Sequence, residues 1–350
     1  MEHIETVVIG AGHSGLAAGF HLARRKLPFT ILDAGGQVGD VWRARWDSLR
    51  LFTPGRFSGL PGLANPVGRD GYAGKDEFAD YLATYARRFD LPVRLGVRVR
   101  SVIPRGDEFE LDTTAGPMSA RHVVAAGGHN ALPHVPALAR DLDAGIRQLH
   151  SSDYRNAGSI PPGAVLVVGA GTSGAEIALE LAPTHRVSLA GRPTPHIPDA
   201  VFRYAGSAYW LIVHRLLTTG TPPGRKVAAS FGLRGAPLIR ISLPQLEAAG
   251  VTRLPRLTGV ADGRPLTDAG EVCTPTAIIW ATGFRPDLRW LPPLDVDAVG
   301  VPITERGVVR RYPGLFFVGM PFQYALTSGL IGGAARDAEY VAGRIAAGVA

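Results

Sequence analysis

Two glycine-rich turns are the residues of this sequence best suited to chemistry, because glycine lets a backbone approach a phosphate closely. They lie within Val7–Gly15 and Leu166–Gly174, and the three glycines of the first turn recur at one constant offset in the second. Each turn follows a β-branched strand and opens a helical pattern, Ser14–Ala23 or Ser173–Ala182. A repeated strand–turn–helix of this kind predicts two dinucleotide-binding units in one chain.

The first unit carries an acid where the adenosine ribose of a dinucleotide binds. Asp33 ends the second strand, Phe29–Leu32, about 20 residues after the turn, and its carboxylate can accept hydrogen bonds from both ribose hydroxyls. We therefore interpret this unit as an FAD site rather than as a generic glycine turn. Its predicted FAD contacts are Gly10, Gly12, His13, Ser14, Gly15 and Asp33.

The second unit has an arginine at the position that corresponds to Asp33. Arg192 follows the strand Arg186–Leu189. A guanidinium makes bidentate, charge-assisted contacts with a 2′-phosphate, which a carboxylate would repel. The sequence therefore favours NADPH over NADH; an exposed loop arginine with no ligand is the alternative. The predicted NADP contacts in this unit are Gly169, Gly171, Thr172, Ser173, Gly174 and Arg192.

Two proline-containing segments, Pro161–Gly163 and Thr274–Pro275, bracket the second unit as hinges. The sequence therefore predicts an α/β fold with two Rossmann-like dinucleotide-binding domains, the second inserted into the first. The predicted bounds are 1–157 and 275–350 for the FAD-binding domain and 158–274 for the NADPH-binding domain. Within the latter, about 195–256 is rich in Tyr, Trp, Leu and Pro, and we expect it to cover the substrate approach unless it only packs on the second domain.

Composition excludes several other classes of protein. Of the 350 residues, 46% are hydrophobic and 19% charged, which supports a large core. The one cysteine, Cys273, excludes an intramolecular disulfide and a CxxC redox pair, and the ten histidines show no metal-ligand spacing, so we expect no metal. The net charge of +7 comes from scattered basic residues without aromatic–basic motifs, so we expect no nucleic-acid partner.

The sequence favours a cytoplasmic protein. The N-terminus carries acids and enters a strand without a charged and then apolar leader. The longest apolar run, Tyr209–Val213, is far too short to span a bilayer. We therefore expect no membrane partner, and a homodimer stays an open alternative.

Five further segments carry a family pattern: Gly39–Arg43, Asp47–Pro54, Leu149–Tyr154, Ala281–Pro286 and Ala325–Leu330. With the two turns, they resemble the class B flavoprotein monooxygenases, the flavin-containing monooxygenase group, over nearly the whole chain. The likeness is greatest to short bacterial members described as NAD(P)/FAD-dependent oxidoreductases. The family fingerprint FxGxxxHxxx(Y/W) is matched at His150 and Tyr154, whereas Ala144 and Ile146 replace its Phe and Gly.

The resemblance implies additional cofactor contacts. For FAD they are Gln37, Trp42, Leu51, Val99, Gly127 and Leu326, and for NADP Thr282. Trp42 fits a core position equally well. No catalytic side chain is assigned, because the flavin C4a carries the chemistry in this family. Two candidates are retained: Thr53, where larger members have an asparagine nearby, and His150, whose implied role is to hold the interdomain segment.

The resemblance also implies the reaction. NADPH would reduce FAD, O2 would form a C4a-(hydro)peroxyflavin, and one oxygen would pass to a small soft nucleophile, a sulfide or an amine. An NADPH-dependent flavin reductase that passes electrons to a ferredoxin-like or other external acceptor is the alternative, and a non-catalytic flavin-binding sensor is a third. Baeyer–Villiger oxidation is less favoured, because the arginine-bearing tyrosine/asparagine run of those members is missing.

Overall fold

Both units are built on parallel strands that are buried on two faces, as expected where helices cover both sides of a sheet. The computed structural model describes residues 1–192, 194–231 and 237–348. The strands are β1 (Glu2–Ile9), β2 (Thr30–Leu32), β3 (Val93–Arg94), β4 (Val99–Arg105), β5 (Glu108–Thr113), β6 (Met118–Ala125), β7 (Leu132–Pro133), β8 (Arg147–His150), β9 (Ala164–Val168), β10 (Arg186–Ala190), β11 (Thr252–Leu254), β12 (Leu257–Ala261), β13 (Arg264–Thr267), β14 (Ala277–Trp280), β15 (Phe284–Arg285) and β16 (Leu315–Phe317). The helices are α1 (His13–Arg24), α2 (Asp40–Arg43), α3 (Lys75–Arg88), α4 (Thr172–Leu181), α5 (Asp199–Leu211), α6 (Pro222–Phe231), α7 (Leu243–Ala248) and α8 (Ile331–Ala346).

The first sheet has the strand order β3-β2-β1-β6-β5-β4, with β16 beside β6. β1 pairs in parallel with β2 and β6, whereas β5 is antiparallel to both of its neighbours. Val7 and Val8 at the centre of β1 are fully buried in different clusters, Val8 with residues of α1, α3 and α8. The carboxyl ends of β1, β2, β6 and β16 therefore share one edge of the sheet.

The second sheet has the order β11-β10-β9-β14-β8, and all of its neighbouring strands are parallel. Val165 and Val167 of β9 pack in one cluster with α4, while Leu166 and Val168 pack in another on the opposite face. In the chain this sheet lies between β6 and β16 of the first sheet. The predicted α/β fold with two Rossmann-like units is confirmed.

The bounds predicted for the two domains need correction at both junctions. β8 precedes the expected start at 158, and β14 follows the expected end at 274, yet both strands belong to the second sheet. The reason is parallel pairing: Ile279 of β14 lies between Leu149 of β8 and Val167 of β9. The second unit therefore extends from β8 through β14.

The predicted insertion at 195–256 is also divided by the structure. Its C-terminal part forms α7 and β11, and β11 is an edge strand of the second sheet, because Leu254 pairs with Ala190 of β10. Only the N-terminal part leaves this unit. We call residues 199–231, which run from α5 to α6, the strap.

The strap packs on the first unit. The backbone N–H of Thr219 donates to the carbonyl of Tyr324 at 2.8 Å, and that of Leu326 donates to the carbonyl of Leu217 at 2.9 Å. The alternative in which this segment packs only on the second unit is therefore wrong.

No helix in the described ranges is long and apolar enough to cross a membrane.

A partly buried arginine of the second unit, Arg240, is ion-paired within that unit and also contacts the first unit. Arg240 Nη1 lies 2.9 Å from Glu176 Oε1 on α4 and donates to the carbonyl of Arg50 at 3.2 Å. The same guanidinium lies 5.4 Å from the ring centroid of Tyr72. Burial raises the pKa of Glu176 to about 7, while the positive charge of Arg240 opposes the rise.

This carboxyl should make stability depend on pH. Because Glu176 titrates near 4.5 when unfolded and near 7 when folded, its protonated form stabilises the fold, and that contribution is lost as the pH rises through this window. For the wild-type protein we expect the free energy of unfolding to fall by about 1–3 kcal/mol as the pH rises through this window. Glu176→Gln should lack this fall, because its side chain does not titrate. Urea unfolding of both proteins from pH 4.5 to 8 measures it; parallel profiles would contradict the assignment.

Candidate active site

The first glycine turn is shaped by two backbone contacts that leave no room for side chains. Gly10 has a φ of +107°, and a Cβ there would lie 2.8 Å from the carbonyl oxygen of Ala126. A Cβ on Gly15 would lie 1.8 Å from the carbonyl oxygen of Gly10. These contacts press the first turn of α1 against the ends of β1 and β6.

Gly12 differs, because neither its backbone conformation nor a neighbouring protein atom requires a glycine at this position. Its backbone is extended, with a φ of −73° that any residue adopts, and a Cβ would meet nothing within 4 Å. Gly127, at the end of β6, is likewise open. Open backbone at the N-terminus of a helix is suited to a diphosphate, which approaches the free N–H groups closely. The turn therefore fits the diphosphate of a dinucleotide.

The second turn repeats this geometry. Gly169 has a φ of +113° and a Cβ position 2.2 Å from the carbonyl oxygen of Ala281, and a Cβ on Gly174 would lie 1.8 Å from the carbonyl oxygen of Gly169. Gly171, like Gly12, faces open space. Thr172 and Ser173 open α4, so this turn also presents a free helix N-terminus.

Asp33, the predicted ribose ligand, lies at the first turn. Its Oδ2 accepts the backbone N–H of Ala11 at 2.6 Å, and its Oδ1 accepts that of Gly35 at 2.7 Å. The carboxylate is half-buried, and each oxygen keeps a second acceptor position. The backbone carbonyl of Asp33 accepts the N–H of Val97 at 2.9 Å, which brings the segment before β4 to the same place.

Two histidines lie together beside the first turn. Burial lowers the pKa of His13 to about 4, with a further contribution from His129, and burial also lowers the pKa of His129. Both rings are therefore neutral at pH 7. His13 Nε2 is buried without a hydrogen-bond partner, so the ring has a polar atom to offer a ligand. The sequence singled out His13 and missed His129, whose only signal is its position directly after Gly127 and Gly128.

The other predicted flavin contacts are distributed around this edge. Gln37 is exposed and Leu51 is buried. Trp42 is half-buried, and its ring meets that of Phe78 edge to face at 4.8 Å. Val99 begins β4, and Leu326 is the residue that hydrogen-bonds the strap. Their contacts with FAD stay predictions; those of Trp42 show that it serves the core whether or not it also meets flavin.

Thr53 is buried in a small hydroxyl network. Its Oγ1 lies 2.7 Å from Ser58 Oγ, and the Ser58 hydroxyl lies 3.0 Å from the Thr53 carbonyl. Asn65 Nδ2 donates to the Ser58 carbonyl at 3.2 Å. The sequence missed Ser58 and Asn65, because a buried polar group in an irregular segment leaves no periodic signal. The catalytic role of Thr53 stays a prediction.

His150 uses both of its ring nitrogens within the protein. Nδ1 lies 2.9 Å from Ser152 Oγ and Nε2 lies 3.0 Å from the carbonyl of Gly283. The ring also meets Phe284 edge to face at 4.8 Å. These contacts hold the end of β8 against the segment after β14, which supports the positioning role that the resemblance implies rather than proton transfer.

Arg192 extends from a loop that is fastened to the second turn. A Cβ on Gly191 would lie 2.9 Å from the backbone nitrogen of Ala170, and Thr194 Oγ1 donates to the carbonyl of Ala170 at 2.8 Å. Arg192 itself is exposed. Thr282, at the end of β14, donates its hydroxyl to the carbonyl of His134.

A cleft lies where the strap meets the first unit. It has a volume of about 320 Å³. Its wall includes Phe57 and Trp210, which stack with ring centroids 4.9 Å apart at 14°. Arg56 Nη2, from the same wall, donates to the carbonyl of Phe202 in α5 at 2.5 Å. That this segment covers the substrate approach stays a prediction. The sequence missed Arg56 and Phe57, because their partners lie some 150 residues away.

Comparison with known proteins gives one consistent picture. A family model described as pyridine nucleotide-disulphide oxidoreductase matches residues 7–201. The chain is 37% identical to the oxidoreductase CzcO-like of Geobacillus kaustophilus, over 97% of this chain and 98% of that protein. It is 31% identical to indole-3-pyruvate monooxygenase YUCCA4 of Oryza sativa, over 76% of this chain and 64% of that protein. The structure of the flavin-containing monooxygenase from Stenotrophomonas maltophilia matches with a TM-score of 0.81 and 27% identity, over 99% of each chain.

Two nucleotide turns at the edges of two parallel sheets define an oxidoreductase that uses a flavin and a pyridine nucleotide. The chain belongs to the pyridine nucleotide-disulphide oxidoreductase family and is a class B flavin-containing monooxygenase-like member of it. FAD and NADPH are the cofactors of the flavin monooxygenases. The predicted enzyme class and both cofactors are confirmed.

Among the described residues, no group of His, Cys, Asp or Glu is arranged to hold a metal ion.

The open glycines provide a test of the two turns. We expect Gly12→Ala to fold but to bind FAD about 10-fold or more weakly, because its methyl group meets only the space left for the diphosphate. Gly171→Ala should fold, keep FAD and lose NADP⁺ affinity instead. Flavin absorbance and NADP⁺ calorimetry measure the two effects, and thermal unfolding measures folding.

Gly15→Ala is the matched control for the first turn. Its Cβ would lie 1.8 Å from the Gly10 carbonyl oxygen, so we expect this variant to be destabilised in the absence of any ligand. Unchanged FAD affinity in Gly12→Ala would show that the turn does not contact the diphosphate.

Proposed function

We propose that the protein is an NADPH-dependent FAD monooxygenase that transfers one oxygen atom from O2 to a small soft nucleophile, a sulfide or an amine. The balanced reaction consumes NADPH, a proton, O2 and the substrate, and it yields NADP⁺, water and the oxygenated product. The observation that carries the proposal is the pair of matching glycine turns that end at opposite charges, Asp33 in the first unit and Arg192 in the second.

The cysteine content limits where electrons can go. Electrons that enter from a pyridine nucleotide need an acceptor beyond the flavin, and disulfide reductases use a cysteine pair for this step. This chain has one cysteine, Cys273, which is buried beside β13 and hydrogen-bonds through its backbone to Pro265. An internal dithiol is therefore excluded, and O2 is the acceptor that fits the likeness to monooxygenases.

The protein's own residues bind, orient and shield. The Gly12 turn with His13 and Asp33 would hold FAD, and the Gly171 turn with Arg192 would hold NADPH. Bound FAD and NADPH supply the hydride transfer and the activation of O2. We expect the strap, which hydrogen-bonds Tyr324 and Leu326 of the first unit, to shield the site from water, a requirement for oxygen transfer over peroxide release.

The cleft beside the strap is the candidate site for a small substrate. Its volume of about 320 Å³ lies at the lower end of the range for ligand pockets. Phe57, Trp210 and Leu60 supply apolar wall, and the buried hydroxyls of Thr53 and Ser58 lie in the adjoining segment. No acid–base pair is needed from the protein for this reaction.

A substrate panel tests the proposed activity. With purified FAD-loaded protein, NADPH and ¹⁸O2, we expect one labelled oxygen in the product for each NADPH that is consumed productively. The panel should contain alkyl and aryl sulfides, tertiary amines, ketones and an aromatic 2-oxo acid, the last because of the rice relative. Mass spectrometry of products against NADPH consumption gives the yield.

The same panel separates the alternatives. NADPH oxidation that reduces ferricyanide or a ferredoxin, with no labelled product from any substrate, would show a reductase. A yellow protein that does not oxidise NADPH would show a flavin-binding sensor. Labelled ester from a ketone would establish Baeyer–Villiger oxidation in place of sulfur or nitrogen oxygenation.

The choice of NADPH over NADH has its own test. We expect Arg192→Ala to weaken NADPH binding by about 1.5–3 kcal/mol, because a charge-assisted hydrogen bond to the 2′-phosphate is lost. NADH, which lacks that phosphate, should bind as before and serves as the internal control. Stopped-flow reduction of FAD at varied coenzyme concentration measures both affinities, and equal losses would mean that Arg192 does not touch the 2′-phosphate.

A further inference from the structure

A second arginine lies beside the loop that carries Arg192. Arg253 is on β11, the strand next to β10, and it is paired in register with Leu189. The following residue, Leu254, accepts the backbone N–H of Gly191 at 3.2 Å. The carboxyl end of β11 is therefore fastened to the point where the chain turns toward Arg192.

The guanidinium of Arg253 has hydrogen-bonding capacity that the protein does not use. Its Nη2 lies 3.5 Å from the carbonyl oxygen of Gly191, at the outer limit for a hydrogen bond. Its Nε and Nη1 are buried and have no hydrogen-bond partner among the described residues. Unpaired donors on a buried cation cost free energy, so this arrangement is best explained by a ligand that accepts from them.

The surroundings favour an anion. Glu247 is the acid whose charge acts on Arg253, and burial lowers the pKa of Arg253 more than Glu247 raises it. No carboxylate of the described residues lies within 4.0 Å of this guanidinium as an ion-pair partner. Arg192 directly follows Gly191, whose carbonyl oxygen Arg253 Nη2 faces, so this loop has two arginines where the corresponding loop of the first unit has Asp33.

We propose that Arg253 is a second ligand of the NADPH 2′-phosphate, acting with Arg192. This inference rests on the proposed NADPH preference and names a residue that would share it with Arg192. Arg192 is exposed, so solvent partly screens its charge. Arg253 is held by its strand and partly desolvated, so its contact with a dianionic phosphate is stronger and more directional.

The sequence alone did not identify this residue. Arg192 was found because it occupies the position of Asp33 in the repeat. Arg253 lies outside the repeated segment of the sequence, so no residue of the first unit could be compared with it. It becomes a neighbour of Gly191 only through the parallel register of β10 and β11.

The test uses fragments of the coenzyme that cannot be turned over. With FAD-loaded protein, isothermal titration calorimetry compares adenosine 2′,5′-bisphosphate with 5′-AMP, which differ only in the 2′-phosphate. We expect Arg253→Met to bind the bisphosphate about 10- to 100-fold more weakly and 5′-AMP within about twofold of wild type. Arg253→Lys, which restores the charge, should recover part of the affinity.

Arg264→Met is the matched control. Arg264 is an exposed arginine on β13 of the same unit, so this variant removes the same charge without removing a ligand of the loop, and its affinities should equal those of wild type. Thermal unfolding of each FAD-loaded variant verifies that it is folded.

Each remaining result has one meaning. Equal weakening of both fragments in Arg253→Met would overturn the proposal and show that Arg253 only supports the adenosine loop; so would unchanged affinities for both. If Arg192→Ala weakens binding of the bisphosphate while Arg253→Met leaves that affinity unchanged, the NADPH preference stands and the proposed role of Arg253 is wrong. If the wild-type protein does not distinguish the two fragments, the NADPH preference itself fails.

Discussion

The close contact between Gly15 and the carbonyl of Gly10 is the constraint on which the first site depends. The space that a single Cβ would need is already filled by backbone, so helix α1 begins directly against the end of β1. That approach orients the free N–H groups of the helix toward one point in front of the sheet. Gly174 and Gly169 impose the same constraint on the second unit. Each of the two proposed nucleotide sites is built on one of these contacts.

Because the two turns have the same geometry, they differ chiefly in the charge of the residue beside them, Asp33 or Arg192. Asp33 is engaged by two backbone N–H groups and is therefore fixed at the turn, which suits hydroxyl donors and excludes a phosphate. The corresponding loop of the second unit carries Arg192 and is fastened by Gly191 and Thr194 to the turn beside it. Under the proposed function, one supersecondary unit that is used twice would distinguish two dinucleotides by the sign of the charge beside the turn.

What could be predicted from the sequence was local or repeated. The turns, the acid and the arginine are each defined within about 30 residues of chain, the length of a strand–helix–strand unit, and the repeat revealed the substitution of Asp33 by Arg192. The membership of β8 and β14 could not be predicted, because pairing in a parallel sheet is set by strands distant in sequence. The same limit hid the contact between Arg56 and Phe202 and the pairing of His13 with His129, since each depends on how separate segments meet.

The strap is attached to the first unit by two backbone hydrogen bonds: the N–H of Thr219 donates to the carbonyl of Tyr324, and the N–H of Leu326 donates to the carbonyl of Leu217. It is covalently part of the second unit, so it is anchored in both. A rotation that carried the second unit away from the first would have to break these two hydrogen bonds. The strap therefore acts as a tether between the two units, and a movement of one unit relative to the other that preserves these bonds has to take place around it.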